Sequence, residues 1–374
     1  MRRIAIQSLL FDRGKLIGSL LGVALATTLA FVQIGLYRGF QISSSTFIQH
    51  VGGDLWLIPT GIDVLDNAQV VSPGPRSLLL SHPCVAGVRA VIYGFALIQK
   101  PSGTRTTALI VAAEPRSGHE VPWAVAAGTI ADLDHPLRIS VDRTDLTKLE
   151  LPVDSLGATF EVSSRQVIVA AITDGIRSFT LNPYFFTSMT NAHRLLNLAE
   201  THAMYYSIDL TDSSCAPDLI DWMKRQPDVQ LMETARWIRK TEDYWVGGSG
   251  AGMVLAFTAV LGLIVGGVIV GQTLYSMTKE HLVELATLKA LGARPVELAG
   301  FVLWQVALLG SIGGGAGFLL ALALKQALAH AGLTVVLSPY TVGLSSAATL
   351  AMCMVASVAS LHTVLKVETA QVLR

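Results

Sequence analysis

Four long apolar stretches, one near the start of the chain and three in its last third, limit the possible folds more than any other feature. Each is close to or above the roughly 20 residues that a helix needs to cross a bilayer. The chain is also apolar overall, with 51% hydrophobic and only 14% charged residues. We therefore predict an integral membrane α-helical protein with four transmembrane helices. The stretches lie at about residues 16–36, 251–275, 298–324 and 342–364.

A polar block at residues 39–246 separates the first apolar stretch from the other three. Its pattern is typical of a mixed α/β domain, inserted between the first and second spans. Short β-rich runs predict strands at 54–58, 88–99, 106–113, 158–162 and 166–172. We expect the second and third runs to form a hairpin, and the fourth and fifth to pair likewise. Helices are predicted at 191–199 and 216–225.

The basic residues indicate which side of the membrane each segment faces. In the short segments next to the spans, basic residues lie before the first span, between the second and third spans and after the fourth. The loop at 326–341 has no Lys or Arg. The positive-inside rule then places both termini in the cytoplasm and domain 39–246 outside it. The residues concerned are Arg2, Arg3, Arg13, Lys15, Lys279, Lys289, Arg294, Lys366 and Arg374.

The N-terminal segment carries two further expectations. Residues 1–15 have an apolar side next to Arg2 and Arg3, so we expect an amphipathic segment along the cytoplasmic surface. Residues 16–38 are expected to stay as transmembrane helix 1 rather than be cleaved as a signal peptide. Their apolar core is longer than a usual signal core, and YRGF at 37–40 is a poor small-residue cleavage site.

A search for chemistry in domain 39–246 finds no catalytic or metal-binding pattern. The histidines lack metal-ligand spacing, and neither a G-x-S-x-G elbow nor a Walker A motif occurs in the chain. The formal net charge is zero, which gives no indication of nucleic-acid binding. Cys84 and Cys215 both fall in this domain, and whether they form a disulfide is left open. We predict no enzyme activity and no cofactor bound by this chain.

Glycines occur at helical spacing in the second and third spans. In lipid, such glycines let helix backbones approach closely, and this close packing drives helix association. We therefore predict helix-packing roles for Gly262, Gly266, Gly267, Gly271, Gly313 and Gly317.

The segment between the second and third spans predicts a short amphipathic cytoplasmic helix at 279–291. Leu282, Leu285, Ala286 and Leu288 mark an apolar side, whereas Glu280, Glu284 and Thr287 mark a polar one. Gly292 is suited to end this helix and Pro295 to begin the next. Two interpretations are open: a connector lying on the membrane surface, or a docking helix for a cytoplasmic partner.

The sequence KEHLVELATLKALGA at 279–293 resembles the coupling-helix signature of the FtsX/MacB-type ABC transporter permeases. The likeness extends to the plan of one span, a large extracytoplasmic domain and three further spans. GDLWLI at 53–58 and VETAQVLR at 367–374 are most similar to the DevC-like exporter permeases. At His281 and Ala286 the sequence differs from many relatives. How much each residue of the coupling helix contributes to docking is therefore left open.

This resemblance implies an FtsX-like permease domain at 247–374 with a coupling helix at 279–291. It implies the permease subunit of an ATP-driven exporter: a homodimer in the bacterial inner membrane, with domain 39–246 in the periplasm and two copies of a separate ATPase that binds ATP and Mg. Movement would pass to the periplasmic domain by mechanotransmission. The implied ATPase-coupling residues are Glu280, Glu284, Leu285, Leu288, Lys289, Ala290 and Gly292.

Several partners and alternatives stay open. A periplasmic adaptor and an outer-membrane channel are compatible with the resemblance, membrane lipids are expected partners, and nucleic acid is not. The first alternative is an FtsX-like signal relay that activates an extracytoplasmic enzyme. The second is a membrane-anchored enzyme with its site in domain 39–246, for which no catalytic residues were found. The sequence does not identify the substrate.

Overall fold

The computed structural model of the chain describes residues 13–176, 178, 180, 182–330 and 333–365. It divides into two compact units. The membrane unit joins the chain up to Gly39 with the chain from Ala251 onward, and the α/β unit is Phe40–Gly250. Most of the amphipathic segment predicted at 1–15, and the motif at 367–374, lie outside the described residues.

The helices and strands follow one another along the chain. Up to residue 250 they are α1 (Arg13–Val51), β1 (Leu55–Pro59), α2 (Gly74–Leu80), β2 (Val85–Gln99), β3 (Arg105–Ala113), β4 (Val125–Gly128), β5 (Arg138–Asp142), β6 (Thr159–Val162), β7 (Arg165–Thr173), β8 (Tyr184–Phe186), α3 (Met189–Leu196), β9 (Tyr205–Leu210), α4 (Ala216–Met223), β10 (Val229–Glu233) and α5 (Thr234–Asp243). They continue with α6 (Ala251–Glu280), α7 (Leu282–Ala290), α8 (Pro295–His330) and α9 (Pro339–Leu365).

In the described part of the chain, four helices, α1, α6, α8 and α9, are long and apolar enough to cross a membrane. Large apolar side chains such as Phe257, Leu319 and Val355 are exposed on them, which suits contact with lipid. The prediction of an integral membrane protein with four transmembrane helices and an inserted α/β domain is confirmed, and the chain is a multi-pass membrane protein.

Helix α1 is longer than the span predicted at 16–38, because it continues without a break to Val51. The extension is polar in sequence, but Ser44, Phe47, Ile48 and Val51 are buried. These positions recur at helical spacing, so one side of the extension packs into the α/β unit. Burial of that side keeps the helix intact where the apolar stretch ends.

The α/β unit is built on a ten-stranded sheet with the order β10-β1-β9-β2-β6-β7-β4. Strand β3 pairs with β2 and β8, and β5 pairs with β7. The predicted hairpin is present as antiparallel β2 and β3, with Phe95 opposite Leu109. The other predicted pair is present as β6 and β7, with Phe160 opposite Val167.

The largest apolar cluster of the α/β unit has Trp56, Trp237, Tyr93 and Tyr205 as its largest fully buried members, and Phe47 of α1 belongs to it. A second cluster contains Leu57 and Tyr206. A disulfide joins Cys84, just before β2, to Cys215, just before α4, with 6.1 Å between the Cα atoms. The pairing that the sequence left open is therefore made.

Candidate coupling site

The short helix α7 is set off from both neighbouring spans by local backbone signals. Helix α6 ends at Glu280 and α7 begins at Leu282, with His281 between them. At the other end Gly292 has a positive φ of 97°, and the N–H of Ala293 bonds the carbonyl of Leu288 at 3.0 Å. This is the glycine termination that the sequence predicts.

The entry to α8 is capped as well. Pro295 is its first residue, a position that needs no N–H donor. The Glu297 carboxylate accepts a hydrogen bond from the Arg294 N–H at 2.9 Å. These caps define a turn of a few residues between α7 and α8.

One side of α7 is anchored in the membrane unit. Leu285 is 1% exposed and Ala286 is also buried. Leu285 belongs to the apolar cluster that contains Met277 of α6 and Phe301 of α8, and Leu288 packs against that cluster. Helix α7 is therefore held by both neighbouring spans.

The opposite side presents apolar residues to the outside. Val283 is 61% exposed and Leu291 is 80% exposed. They are eight positions apart, a spacing that recurs along one side of a helix, and Leu291 directly follows the last residue of α7. The side chain of Val296, at the start of α8, is as exposed as that of Leu291. We call Val283, Leu291 and Val296 the apolar tip.

The structure sorts the predicted coupling residues into different environments. Glu280 is exposed but ends α6, so the short helix starts later than the predicted 279. Leu285 is buried and serves as an anchor, and Leu288 and Lys289 are half-buried. Ala290 and Gly292 are exposed. Glu284 lies on α7, and its side chain is outside the described residues.

Sequence reasoning missed the apolar tip because it assigned docking to the polar side of the helix. The signal was present. Val283 and Leu291 interrupt that side with apolar side chains, at a spacing that keeps them together.

The predicted packing glycines lie at close helix contacts within the chain. A Cβ at Gly262 would meet Leu29 of α1, and one at Gly266 would meet Ala26. At Gly313 it would lie 2.7 Å from Val23 Cβ, and at Gly317 2.6 Å from the Ala24 carbonyl oxygen. These four glycines therefore let α6 and α8 approach α1.

The other two predicted glycines face a different helix. A Cβ at Gly271 would lie 3.3 Å from the Ala356 carbonyl oxygen of α9, and one at Gly267 3.4 Å from Met352 Cγ. Because all six positions make contacts inside the chain, they give no support to a second copy packing on them.

Within the α/β unit, polar side chains contact the C-terminal end of α1. The Ser207 hydroxyl donates to the Gly52 carbonyl at 2.8 Å, and His119 Nδ1 lies 3.1 Å from the His50 carbonyl oxygen. Asp209 pairs with Arg116 at 3.0 Å and also with Arg89. The hydrogen bond from Arg89, with the charge of Arg116, holds the pKa of Asp209 below its usual range. Carbonyl groups at the end of the helix thus have partners.

The segment before the second span is tied to the same unit. Glu242 of α5 accepts hydrogen bonds from Ser45 at 2.7 Å and Gln41 at 3.2 Å, both on α1. Lys240 pairs with Asp63 at 2.9 Å. The last α5 turns are therefore bonded to α1 and to the loop after β1.

Asp66, in the loop after β1, joins that loop to β2 and to the residues that follow α5. Its carboxylate accepts hydrogen bonds from the Tyr93 hydroxyl at 3.1 Å and from Trp245 Nε1 at 3.3 Å. Burial raises the pKa of Asp66, and the two hydrogen bonds oppose that shift.

Among the described residues, no group of three or more His, Cys, Asp or Glu side chains is placed to hold a metal ion.

Comparison with known proteins gives one family match. Residues 256–369 match the FtsX-like permease C-terminal family. This range includes most of α6 and all of α7, α8 and α9. No curated protein sequence matches the chain.

Three solved structures are similar to parts of the chain. The periplasmic region of MacB from Actinobacillus actinomycetemcomitans is 10% identical, with a TM-score of 0.38, over 52% of this chain and 96% of that one. A domain of a putative permease from Porphyromonas gingivalis is 15% identical, with a TM-score of 0.32, over 49% and 89%. The extracellular domain of the noncanonic ABC-type transporter YknZ from Gram-positive bacteria is 13% identical, with a TM-score of 0.34, over 48% and 99%.

The family match covers the last three spans and the short helix between two of them, but not the first span. The FtsX-type recognition is confirmed for this part of the chain, whereas the DevC-like assignment stays a prediction. Residues 256–369 of this membrane protein match the FtsX-like permease C-terminal family.

Proposed function

We propose that this chain is the permease subunit of an ABC exporter and that a separate ATPase docks on α7. The observation that carries the proposal is the two-sided environment of α7. Leu285 is buried among the spans while Val283 and Leu291 are exposed. A helix anchored on one side and apolar on the other is suited to pass a partner's movement to α6 and α8.

The apolar tip defines where the ATPase would bind. Its three apolar side chains are exposed and lie close in sequence, and an exposed apolar patch favours a protein contact. Glu280, Glu284 and Lys289 would add polar contacts around the apolar tip. Leu288 would contribute by packing α7 against the apolar cluster of the membrane unit. In this proposal ATP and Mg are bound by the ATPase, and this chain contributes neither a nucleotide site nor catalysis.

Helix α1 offers a route for movement to the α/β unit. It runs unbroken from Arg13 to Val51, and Phe47 and Ile48 near its end are part of the α/β core. A displacement of this helix would therefore act directly on the core that surrounds its end. This favours mechanotransmission over a path for substrate between the spans.

Two observations support the proposed orientation of the chain in the membrane. The distribution of basic residues favours cytoplasmic termini. The disulfide between Cys84 and Cys215 favours an oxidising compartment for the α/β unit. We place the chain in the bacterial inner membrane with the α/β unit in the periplasm. Its homodimer, adaptor and outer-membrane channel are inferred from the family resemblance.

The test replaces the apolar tip. The double variant Val283→Asp/Leu291→Asp puts two charges where apolar contacts with the ATPase are proposed. Loss of apolar burial of about 1.5–3 kcal/mol per side chain predicts at least tenfold weaker ATPase binding. The measurement is recovery of the nucleotide-binding subunit with the permease purified from its native membrane.

Val153→Asp is the control, because Val153 is a strongly exposed valine in the α/β unit, away from α7 in sequence. It should leave recovery of the ATPase unchanged. Normal recovery and normal transport with the double variant would rule out α7 as the docking helix. They would favour the membrane-surface connector instead.

A further inference from the structure

The segment between α8 and α9 lies against α1. Its residues 333–338 form neither helix nor strand, and we call them the α8–α9 connector. The Val336 N–H donates a hydrogen bond to the Gly35 carbonyl at 3.0 Å, and the Val335 side chain is 3% exposed. A stretch of chain without regular secondary structure is thus fixed on a helix that is distant from it in sequence.

Two glycines of α1 admit the α8–α9 connector. A Cβ at Gly35 would lie 2.6 Å from Val335 Cγ1, and one at Gly39 would overlap the Thr334 carbonyl oxygen. The two glycines are four positions apart, so they lie on the same side of α1. Gly18 on the same helix differs from them, because a Cβ there would meet nothing within 4 Å. The close approach of the connector therefore depends on glycine at 35 and 39.

The α8–α9 connector is also bonded to the two helices that it joins. The Leu333 N–H donates to the Leu328 carbonyl of α8 at 3.0 Å. In the first turn of α9, the buried Thr341 hydroxyl lies 3.1 Å from the Val336 carbonyl oxygen and 2.9 Å from that of Ser338. Val336 therefore donates to α1 through its N–H, and its carbonyl oxygen lies within hydrogen-bond distance of α9.

Apolar packing joins the same three helices beside the α8–α9 connector. Phe31 and Val32 of α1 are buried in one cluster with Ala321 of α8. Leu337 of the connector and Val342 of α9 pack against this cluster. Because packed interiors deform little and transmit strain, a displacement of α8 or α9 at this end would act on α1.

The contact lies where α1 passes from one unit to the other. Gly39 is the last residue of the first part of the membrane unit, and the α/β unit begins at Phe40. The α8–α9 connector follows the end of α8, whereas α7 precedes its start. The connector is therefore at the opposite end of α8 from the proposed ATPase contact. It holds α1 just before the extension whose Phe47 and Ile48 belong to the α/β core.

We propose that the α8–α9 connector, seated on Gly35 and Gly39, makes α1 move with α8 and α9 when the ATPase acts. The inference rests on the proposed function and assigns positioning roles within it to Gly35, Gly39 and Thr341. A displacement of α8 that starts at α7 reaches the far end of α8. The connector then passes it to α1 immediately before the extension into the α/β unit.

The test removes the close approach with Gly39→Ala in the full-length permease bound to its ATPase. Backbone amide exchange of residues 40–51 is followed by mass spectrometry, with and without a non-hydrolysable ATP analogue. In the unmodified complex the analogue should change this exchange. Gly39→Ala should abolish the change and leave recovery of the ATPase as before, because α7 is unaltered. A merely structural role for Gly39 would alter exchange equally with and without the analogue.

Gly18→Ala is the matched control, because it adds the same methyl group to the same helix in open space. It should keep the change that the analogue produces. A change that persists in Gly39→Ala would overturn the role of the α8–α9 connector alone. An unmodified complex that retains its ATPase but shows no change at residues 40–51 would contradict mechanotransmission itself, and the connector's role with it.

Thr341→Val is a milder second variant, which decides the matter if Gly39→Ala does not fold. It keeps the shape of the side chain but removes the hydroxyl that contacts the α8–α9 connector. Loss of one net hydrogen bond predicts about three- to tenfold faster exchange in residues 333–338, and the analogue should then change residues 40–51 less.

Thr349→Val is the control for this variant, because the buried Thr349 hydroxyl donates to the Ser345 carbonyl of its own helix α9 at 2.9 Å. It should leave exchange in residues 333–338 and the change at residues 40–51 as they are in the unmodified complex. Faster exchange in the connector of Thr341→Val, with the full change at residues 40–51 retained, would overturn the proposal.

Discussion

Glycines in the third span differ from one another in what surrounds them, although they look alike in sequence. Gly317 lies against the backbone of α1, where an added Cβ would be 2.6 Å from a carbonyl oxygen. Gly300 on the same helix α8 has nothing within 4 Å of that position. The same substitution should therefore have opposite effects at the two sites.

Gly317→Ala is expected to destabilise the protein by about 1–3 kcal/mol, because the backbone of α1 must shift to admit the methyl group. Gly300→Ala should be neutral or stabilising by up to about 1 kcal/mol, since alanine favours a helix over glycine. Thermal unfolding of both variants in detergent measures the difference. Equal melting temperatures would contradict the close approach of α8 to α1.

At the scale of elements, polar contacts join α1 to α5 within the α/β unit. Ser45 is fully buried, and its hydroxyl donates to Glu242. Gln41 donates to the same carboxylate. A single side chain of α5 thus satisfies two groups on α1.

Glu242→Ala should destabilise this contact by about 1.5–3 kcal/mol per lost charge-assisted hydrogen bond, because Ser45 then keeps only the longer contact of 3.3 Å with the Ile42 carbonyl oxygen. Backbone amide exchange in residues 41–51 should speed up, which mass spectrometry of the full-length protein can follow. The neighbouring exposed Asp243 provides the control as Asp243→Ala. Unchanged exchange in the Glu242 variant would show that α1 is held there by apolar packing alone.

For the whole molecule, the two faces of the membrane can be assigned with cysteine chemistry. The chain supplies markers for both: the disulfide of Cys84 and Cys215 in the α/β unit, and the exposed Lys279 and Arg294 on either side of α7. Cys353 is buried within α9.

After mild reduction of intact cells, a membrane-impermeant maleimide is expected to label Cys84 and Cys215. Lys279→Cys and Arg294→Cys should be labelled only once the membrane is opened, because positive charge favours the cytoplasmic side. Quantifying labelled peptides by mass spectrometry reads out each site. Labelling of Lys279→Cys in intact cells would reverse the proposed orientation.

How much of this could be predicted differs between the two units. The four spans follow from hydropathy, and the end of α7 follows from the glycine at 292, because both signals depend on neighbouring residues in the chain. The hairpin of β2 and β3 was also predicted, since alternation and a short turn specify it locally. The extension of α1 to Val51 was not. Its serines are unfavourable for a helix until Phe47 and Ile48 are buried by distant strands.

The coupling site divides in the same way. The sequence by itself determined that a short helix lies between two spans, since periodicity and end signals are local. Only the tertiary structure decided that Leu285 is an anchor and Val283 and Leu291 are exposed, because burial depends on which side of α7 meets α6 and α8. It also decided which glycines contact α1 and that Cys84 meets Cys215. Each of these depends on residues far apart in the chain, whose distances no local pattern fixes.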